Sequence, residues 1–276
     1  MDAPAPDLGW FALCIAAKRF PETYEFYRTI GFTTVRGKPE HGWVGLNNAG
    51  TDLAIMRDLP GNWLNFRGGD VPALAAEHRR RGLEPNGETA YDPKAWPEEW
   101  HTGPGGRRLP LEGAACYSLT DPDGNTVYFD TVPLERVRYV AGQRFCQPEA
   151  TGRLLRGQRT LGRFELSLRV KSLRASLDFY TRLGLGIVFD RRKEGFAILG
   201  RERPARLRLG LYRGHIRKNL LTFRGADVFS VASRLAKSGL RLDSGPEVEE
   251  DGSAAASLSD PESNVIYLNT MPGEKP

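Results

Sequence analysis

One sequence segment, which has the pattern of a turn followed by a strand, occurs twice in this chain, once near the end of each half. Residues 121–133 read DPDGNTVYFDTVP, and residues 260–272 read DPESNVIYLNTMP. A repeat has to be recognised before single residues are interpreted, because it decides how the chain divides into structural units. The repeated segment therefore predicts two halves with similar folds.

The similarity of the two halves extends upstream of that strand. Residues 24–32 (YEFYRTIGF) match residues 177–185 (LDFYTRLGL), and residues 64–71 (LNFRGGDV) match residues 221–228 (LTFRGADV). Asp70 and Asp227 lie 157 residues apart, but Asp121 and Asp260 only 139. The first copy therefore carries about 18 additional residues before its final strand.

The spacing of the repeats predicts the domain boundaries. We expect a first domain over residues 1–134, with an insertion at about 85–115, and a second domain over residues 162–276. Residues 135–161 form a basic linker between them. A chain of 276 residues with 40% hydrophobic residues is long enough for two such cores.

Composition excludes several classes of function. No apolar run approaches the roughly 18 residues that span a bilayer, and the N-terminus lacks a signal-peptide pattern, so we expect a cytoplasmic protein without a membrane partner. The net charge of +5 comes partly from arginines of the linker, which accompany no nucleic-acid-binding motif. Three cysteines without paired spacing indicate neither a disulfide framework nor a zinc cluster.

The pattern of apolar residues predicts the same unit four times. Residues 11–17 alternate as a half-buried strand does, and residues 21–30 suit a helix that begins at Pro21 and stops at Gly31. Two strands around a turn at residues 48–50 form a hairpin. After strand 63–67, Asp70 is expected to cap a helix, and Asp227 its counterpart. Four β-α-β-β-β modules thus cover residues 9–60, 61–134, 162–216 and 217–272, which is an α+β fold.

A helix that ends in Phe-Tyr-x-x-(Leu/Ile)-Gly, paired with a terminal strand Asp-Pro-x-x-Asn-x-(Val/Ile)-Tyr, resembles the vicinal oxygen chelate superfamily. This group includes glyoxalase I, bleomycin-resistance proteins and extradiol dioxygenases. The resemblance implies two glyoxalase-like domains, each with a curved mixed sheet whose concave face encloses a cavity. Four modules in one chain is the arrangement of extradiol dioxygenases.

Metal-dependent relatives place His, Gln or Glu ligands at set strand positions, and the resemblance carries these positions onto this chain. They fall at Ala12, Ala54, Trp63 and Tyr128 in the first half, and at Glu165, Arg208 or Gly210, Leu220 and Tyr267 in the second. A catalytic ion needs about three protein ligands, and one carboxylate does not supply them. We therefore expect no bound metal or other cofactor.

Strand alternation assigns the side chains that face each predicted cavity. The candidate ligand-binding residues are Trp63, Asn65, Arg67, Tyr128 and Asp130 in the first half, and Arg169, Thr222 and Arg224 in the second. Trp96 and Trp100 join them from the insertion, as a lid or as anchors of that loop. Trp63 would stack on a flat ligand. The arginines would bind an anion or, alternatively, pair with carboxylates such as Asp130 or Glu165.

Glu165 and Tyr267 form the acid and base pair that would carry catalysis, if this chain catalyses a reaction. The leading hypothesis is a metal-independent protein that binds an aromatic or anionic small molecule in the first cavity. The alternative is a glyoxalase-like lyase or isomerase, or an extradiol-type dioxygenase, with an atypical ligand set. We expect a monomer with pseudo-symmetric halves or a homodimer.

Overall fold

The computed structural model describes residues 6–94, 98–143, 160–201 and 207–274. Its elements in the first repeat are β1 Trp10–Ala16, α1 Phe20–Ile30, β2 Thr33–Lys38, β3 Trp43–Asn48, β4 Thr51–Met56, β5 Trp63–Arg67, α2 Val71–Arg80, β6 Asn86–Ala90, β7 Ala115–Thr120, β8 Thr126–Thr131 and α3 Pro133–Val140. Those in the second repeat are β9 Arg163–Arg169, α4 Leu173–Leu183, β10 Gly186–Arg191, β11 Phe196–Arg201, β12 Leu207–Tyr212, β13 Leu220–Arg224, α5 Val228–Lys237, β14 Ser244–Val248, β15 Ala254–Ser259 and β16 Val265–Thr270. None of the described helices is long and apolar enough to cross a membrane.

The strands form two eight-stranded sheets with the same topology. The strand orders are β2-β3-β4-β1-β5-β8-β7-β6 and β10-β11-β12-β9-β13-β16-β15-β14. Pairs β5/β8, β13/β16 and β12/β9 are parallel, whereas pairs such as β7/β8 and β15/β16 are antiparallel. Each sheet contains two β-α-β-β-β modules, so the predicted α+β fold of two glyoxalase-like domains with mixed sheets is confirmed.

Helices α1, α2 and α5 lie where the sequence pattern predicts them, with α1 beginning one residue before Pro21, at Phe20. Asp70 accepts a hydrogen bond from a backbone N–H in the first turn of α2 at 3.2 Å, and Asp227 does the same for α5 at 3.0 Å. Such a side chain satisfies an N–H that the helix itself leaves without a partner. Gly31 after α1 and Gly184 after α4 both have a φ of 117°, a conformation that glycine adopts without steric cost.

Stacked aromatic rings fill the space beneath α2. Phe129 stacks on Tyr117 at a centroid distance of 4.7 Å and on Phe66 at 5.3 Å. The buried His78 of α2 closes this cluster: its Nε2 lies 3.3 Å from the carbonyl of Leu183, and its Nδ1 lies 2.7 Å from the Tyr117 hydroxyl. Because a carbonyl only accepts, Nε2 carries the proton and Nδ1 accepts from Tyr117. Burial lowers the pKa of His78 to about 4.

The repeated Asp-Pro turn of the first copy binds the Phe-Tyr helix of the second. Asp121 Oδ1 accepts from the backbone N–H groups of Asp123 and Asn125, which closes the turn. Its Oδ2 accepts from the Asn125 amide at 2.7 Å and from the Tyr180 hydroxyl at 2.8 Å. The carboxylate thus has four donors, as a buried charge requires.

The mirror-related contact is present as well. Asp260 Oδ2 accepts from Tyr27, at 3.0 Å, and from the amide of Asn264, at 2.7 Å. Burial, followed by the neighbouring aspartate, raises the pKa of Tyr27 and of Tyr180 well above the ordinary value, so both hydroxyls keep the protons that they donate. Two of the motifs that carry the family resemblance therefore bind each other, across the repeats rather than within them.

The described residues group into two compact units, and each unit mixes elements of both repeats. One unit holds β5–β8, α2 and α3 of the first repeat with α4, β10 and β11 of the second. The other holds α1 and β2–β4 of the first repeat with β9, β13–β16, α5 and nearly all of β12. The predicted domain boundaries stay a prediction; α3 occupies the start of the predicted linker, and residues 144–159 lie outside the described residues.

Candidate functional site

A polar cluster lies on one face of strands β12, β9, β13 and β16, and we call it the Glu165 face. Thr222 pairs with Glu165 on one side and with Tyr267 on the other, so these three residues form a row across the strands. Gly210 of β12 pairs with Ser167 of β9. With period-two alternation, the face comprises Arg208, Gly210 and Tyr212; Arg163, Glu165, Ser167 and Arg169; Leu220, Thr222 and Arg224; and Val265, Tyr267 and Asn269.

The carboxylate of Glu165 is the centre of this face and is only 1% exposed. Its Oε1 accepts from the Tyr212 hydroxyl at 2.9 Å and from Ser167 at 3.4 Å. Its Oε2 lies 3.6 Å from Nε of Arg224 and 3.9 Å from Nε of Arg208, distances of ion pairs rather than of hydrogen bonds. Within the described part of the chain, Oε2 has no hydrogen-bond partner.

Arg224 shares its donors between two other residues of the face. Nη1 donates to Asn269 at 3.2 Å, and Nη2 donates to the Tyr212 hydroxyl at 3.5 Å. Its Nε is buried and donates to none of the described residues. Burial opposes the charged form, but the carboxylate of Glu165, followed by Tyr212, raises the pKa of Arg224, so it stays a cation.

Tyr212 connects the acidic and the basic member of the cluster, because its hydroxyl donates to Glu165 and accepts from Arg224. Burial, and then the Glu165 charge, raises the pKa of Tyr212 to about 12, so it is neutral at physiological pH. Gly210 makes room for this ring. A Cβ at Gly210 would lie 2.4 Å from a Tyr212 ring carbon and 2.8 Å from Glu165 Oε1.

The structure brings together some of the predicted residues of the second half. Thr222 hydrogen-bonds Ser167 at 2.8 Å, beside Glu165. Tyr267 lies beyond Thr222 in the cross-strand row, roughly 10 Å from Glu165 at the usual strand spacing, so Tyr212 is the hydroxyl paired with this carboxylate. Arg169 is exposed at the end of β9.

The predicted residues of the first half lie on the equivalent face of β5 and β8, which we call the Trp63 face. Trp63 and Tyr128 lie against each other, with centroids 4.7 Å apart and planes tilted by 34°. Burial, followed by the charge of Asp130, raises the pKa of Tyr128 well above its ordinary value. The buried Asn65 is the register partner of Tyr128. An aromatic ligand on this face would meet a pair of rings already in contact.

Arg67 on the Trp63 face is paired with two carboxylates. Its Nη2 lies 2.6 Å from Glu135 and 3.0 Å from Asp130. Glu135 belongs to α3 and is 2% exposed, and its Oε2 also accepts from a backbone N–H at the start of that helix. The charge of Arg67 is therefore compensated inside the protein, as the alternative prediction for the arginines has it.

Of the two tryptophans in the insertion, the structure describes only Trp100. Trp96 lies outside the described residues. Trp100 ends a short 3-10 turn over Glu98–Trp100 and is partly exposed. The following residue, His101, hydrogen-bonds the Tyr91 hydroxyl at 3.0 Å and so ties this turn to the start of the insertion.

Sequence reasoning missed two residues that matter in these clusters. Tyr212 is not among the residues predicted from the sequence, although alternation from Arg208 through Gly210 places it on the same side of β12. Glu135 lies in the segment 135–161 that the spacing of the repeats predicts as a linker. A Pro at 133 followed by Leu-Glu-Arg-Val is a helix-start signal that would have indicated α3.

The residues at the family's metal-ligand positions do not fit a divalent ion. In the second half, the one acidic side chain there, Glu165, faces the guanidinium groups of Arg208 and Arg224, whose positive charges oppose a bound cation. Nowhere in the described ranges do three His, Cys, Asp or Glu side chains come together as a metal site would need. On the Glu165 face, the guanidinium groups of Arg208 and Arg224 lie where a metal ion would have to balance the charge of Glu165.

The solved structures that this chain resembles include dioxygenases, one of them described as an extradiol ring-cleaving dioxygenase. A variant of homoprotocatechuate 2,3-dioxygenase from Brevibacterium fuscum matches with a TM-score of 0.59 and 14% identity, over 98% of this chain and 74% of that one. The enzyme from Arthrobacter globiformis gives 0.60 and 13%, over 98% and 82%. The halotolerant catechol dioxygenase BphC gives 0.56 and 15%, over 97% and 87%.

No protein-family model and no curated protein matches the sequence. The likeness to the solved structures nevertheless covers nearly the whole chain and therefore includes both repeats. At such low identity the likeness establishes the fold but not the chemistry. The chain has the fold of extradiol dioxygenases, enzymes of the vicinal oxygen chelate superfamily.

Proposed function

We propose that this protein binds a small organic molecule on the Glu165 face and needs no metal ion to do so. The observation that carries the proposal is the carboxylate of Glu165, which is buried yet has an oxygen without a hydrogen-bond partner among the described residues. Leaving a buried charged acceptor unsatisfied costs free energy, and a ligand that donates a hydrogen bond to it would remove that cost.

The charges of the face support binding without a metal. Arg208 and Arg224 compensate Glu165 from 3.9 and 3.6 Å, which is the role that a divalent ion has in metal-dependent members of the superfamily. Tyr212 fixes the carboxylate through its other oxygen. The donors and acceptors are therefore positioned before any ligand arrives, which lowers the entropic cost of binding.

The Trp63 face is the less suitable of the two. There the arginine is held by two carboxylates at hydrogen-bond distance, and the two aromatic rings occupy each other's faces. The rings of Tyr212 and Tyr267 on the Glu165 face supply apolar surface for the carbon skeleton of a ligand. From the sequence, the ligand is expected in the cavity of the first half; we propose instead that it binds to the Glu165 face of the second half.

The test is binding with and without metal. Protein purified without chelator is analysed for bound metals, and a library of small aromatic and anionic compounds is screened by thermal shift before and after treatment with EDTA. We expect shifts that EDTA leaves unchanged, that Glu165→Gln abolishes, and that Trp63→Ala on the other face retains. Stoichiometric iron, manganese, nickel or zinc whose removal abolishes binding would overturn the proposal.

A second candidate is an extradiol-type dioxygenase, and the fold of the similar structures favours it. In that case Glu165, with Tyr212 or Tyr267, would act as a proton donor and acceptor toward the substrate. Oxygen consumption with a panel of catechols, measured after reconstitution with ferrous iron under anaerobic conditions, tests it. Turnover that is lost in Glu165→Gln would replace the first proposal by this one.

A further inference from the structure

Two buried atoms of the Glu165 face are left without hydrogen bonds to described residues, and they are neighbours. Oε2 of Glu165 is an acceptor and Nε of Arg224 is a donor, and they lie 3.6 Å apart. Neither atom has accessible surface, so one polar atom about 2.8 Å from each would complete both once a side chain of the face moves aside. That atom has to donate to a carboxylate and accept from a guanidinium, which is what a hydroxyl group does.

At the rim of the face, the positive charge of Arg208 can bind a second group of the ligand. The side chain of Arg208 is 36% exposed, and its Nε lies 3.9 Å from Oε2 of Glu165, next to the place just described. Arg208 and Arg224 together with Glu165 leave one positive charge in excess. A single carboxylate would neutralise it, and the planar fork of a guanidinium matches a carboxylate in two hydrogen bonds.

We propose that the Glu165 face selects hydroxycarboxylates, small organic acids with a hydroxyl group next to the carboxylate. The hydroxyl lies between Glu165 and Arg224, and the carboxylate pairs with Arg208. This inference rests on the proposed function, because it names the class of molecule that the face binds. The remainder of the molecule lies toward Tyr212 and Tyr267.

Other small ligands satisfy fewer of these groups. A carboxylate without the hydroxyl leaves Oε2 of Glu165 without a donor and adds a negative charge near it. An ammonium compound donates to Glu165 but cannot accept from Arg224, and it adds a positive charge where one is already in excess. A neutral alcohol leaves Arg208 without an anion. A site built around a hydroxyl discriminates strongly against analogues that lack it, because its buried groups are then left unpaired.

The experiment compares mandelate, phenylacetate and benzyl alcohol, which share a phenyl ring and differ in the hydroxyl and the carboxylate. Their affinities are measured by isothermal titration calorimetry with the wild-type chain, both enantiomers of mandelate being used. We expect the better enantiomer of mandelate to bind at least about tenfold more tightly than either analogue, which corresponds to about 1.4 kcal/mol. Equal affinity for mandelate and phenylacetate would overturn the inference.

Two variants assign the contacts to residues. Arg208→Gln should reduce the preference for mandelate over benzyl alcohol to less than about threefold, since only the carboxylate contact is lost. Arg213→Gln, which removes a charge from the exposed residue after β12, should change neither preference. Arg208 is at the rim, so its variant is expected to fold, and circular dichroism checks this. An unchanged preference in Arg208→Gln contradicts the assignment.

The outcomes separate this inference from the proposed function. Hydroxyl-free ligands that bind tightly, keep their affinity in EDTA and lose it in Glu165→Gln would leave the metal-free binding function intact and reject hydroxycarboxylates. Binding of mandelate only after a metal is added would reject the proposed function. No measurable binding of any of the three compounds, with other library compounds still binding at this face, would also reject the inference alone.

Discussion

The hydroxyl of Tyr180 donates to Oδ2 of Asp121 at 2.8 Å, so that the Phe-Tyr helix of the second repeat is fastened to the Asp-Pro turn of the first. The mirror-related bond from Tyr27 to Asp260 measures 3.0 Å. Each pair is buried, and each aspartate also closes its own turn. These bonds join two motifs that lie far apart in the sequence.

Removing the hydroxyl of Tyr180 should destabilise the protein. Tyr180→Phe leaves the buried Asp121 with one donor fewer, which costs about 1–3 kcal/mol, and urea unfolding would measure it. Tyr139→Phe is the matched control, because the buried Tyr139 hydroxyl has no hydrogen-bond partner in the part of the chain that the structure describes. The same loss in both variants would contradict the importance of the bond to Asp121.

Acid should unfold the chain partly through His78. Its pKa falls to about 4 in the folded state, so the folded protein binds a proton less readily than the unfolded chain, whose histidine has a pKa near 6.5. Its contribution is thus fully present above pH 6.5 and is lost as the pH falls toward 4, by about 3 kcal/mol in all. Unfolding by urea across this range would show it.

The matching variants isolate that histidine from other titrating groups. His78→Phe should show a flatter dependence of unfolding free energy on pH between about 6.5 and 4. His41→Gln changes an exposed histidine and should retain the wild-type slope. A wild-type slope in His78→Phe would mean that other groups cause the acid sensitivity.

Arg67 should contribute more to stability than other paired arginines. Arg67→Met leaves the buried Glu135 and the neighbouring Asp130 without their cation, and breaking such a buried pair costs about 3–5 kcal/mol. Arg136→Met breaks a more exposed pair, to Asp70 at 2.9 Å, and should cost less than about 1 kcal/mol. Chemical unfolding of both variants tests the difference, and similar losses would refute it.

Gly210 should tolerate no side chain. Gly210→Ala places a methyl group against the ring of Tyr212 and the carboxylate of Glu165, and such overpacking costs about 1–3 kcal/mol. We also expect weaker binding of mandelate, because Glu165 has to move. Gly186→Ala is the control in a strand of the same sheet, since its nearest neighbour lies at an ordinary 3.8 Å. Calorimetry would measure the binding of mandelate to both variants, and urea unfolding would measure their stability. A Gly210→Ala variant that binds mandelate and unfolds like the wild type would show that position 210 has room for a side chain.

Much of the fold could be predicted from the sequence, because its determinants are local. Strand alternation, the capping aspartates and Gly31 all act within a few residues. Because the motifs occur in both halves, the prediction for one half supports the prediction for the other. The bonds from Tyr27 to Asp260 and from Tyr180 to Asp121 could not be predicted in this way. They join residues 233 and 59 positions apart, and local patterns carry no information about such pairs.

The candidate site could be predicted only in part, for a similar reason. Alternation placed Glu165, Thr222 and Arg224 on one face correctly, since it needs only the strand itself. Which hydroxyl reaches Glu165 depends on the order of strands and on the space beside Gly210. Tyr212 lies on the strand next to β9, whereas Tyr267 lies two strands away on the other side, and this order is a property of the whole sheet.

The missing side chain at Gly210 also has a consequence for how this sequence can change. By the family resemblance, position 208 or 210 is where a metal-dependent relative carries a ligand. A histidine or glutamate introduced at 210 by a single mutation would collide with Tyr212 before it could bind anything. Replacing Tyr212 first would deprive the buried Glu165 of the shorter of its two hydrogen bonds and leave it only the one from Ser167 among the described residues. Each order of steps passes through a damaged intermediate, so a return to metal chemistry through position 210 requires paired mutations.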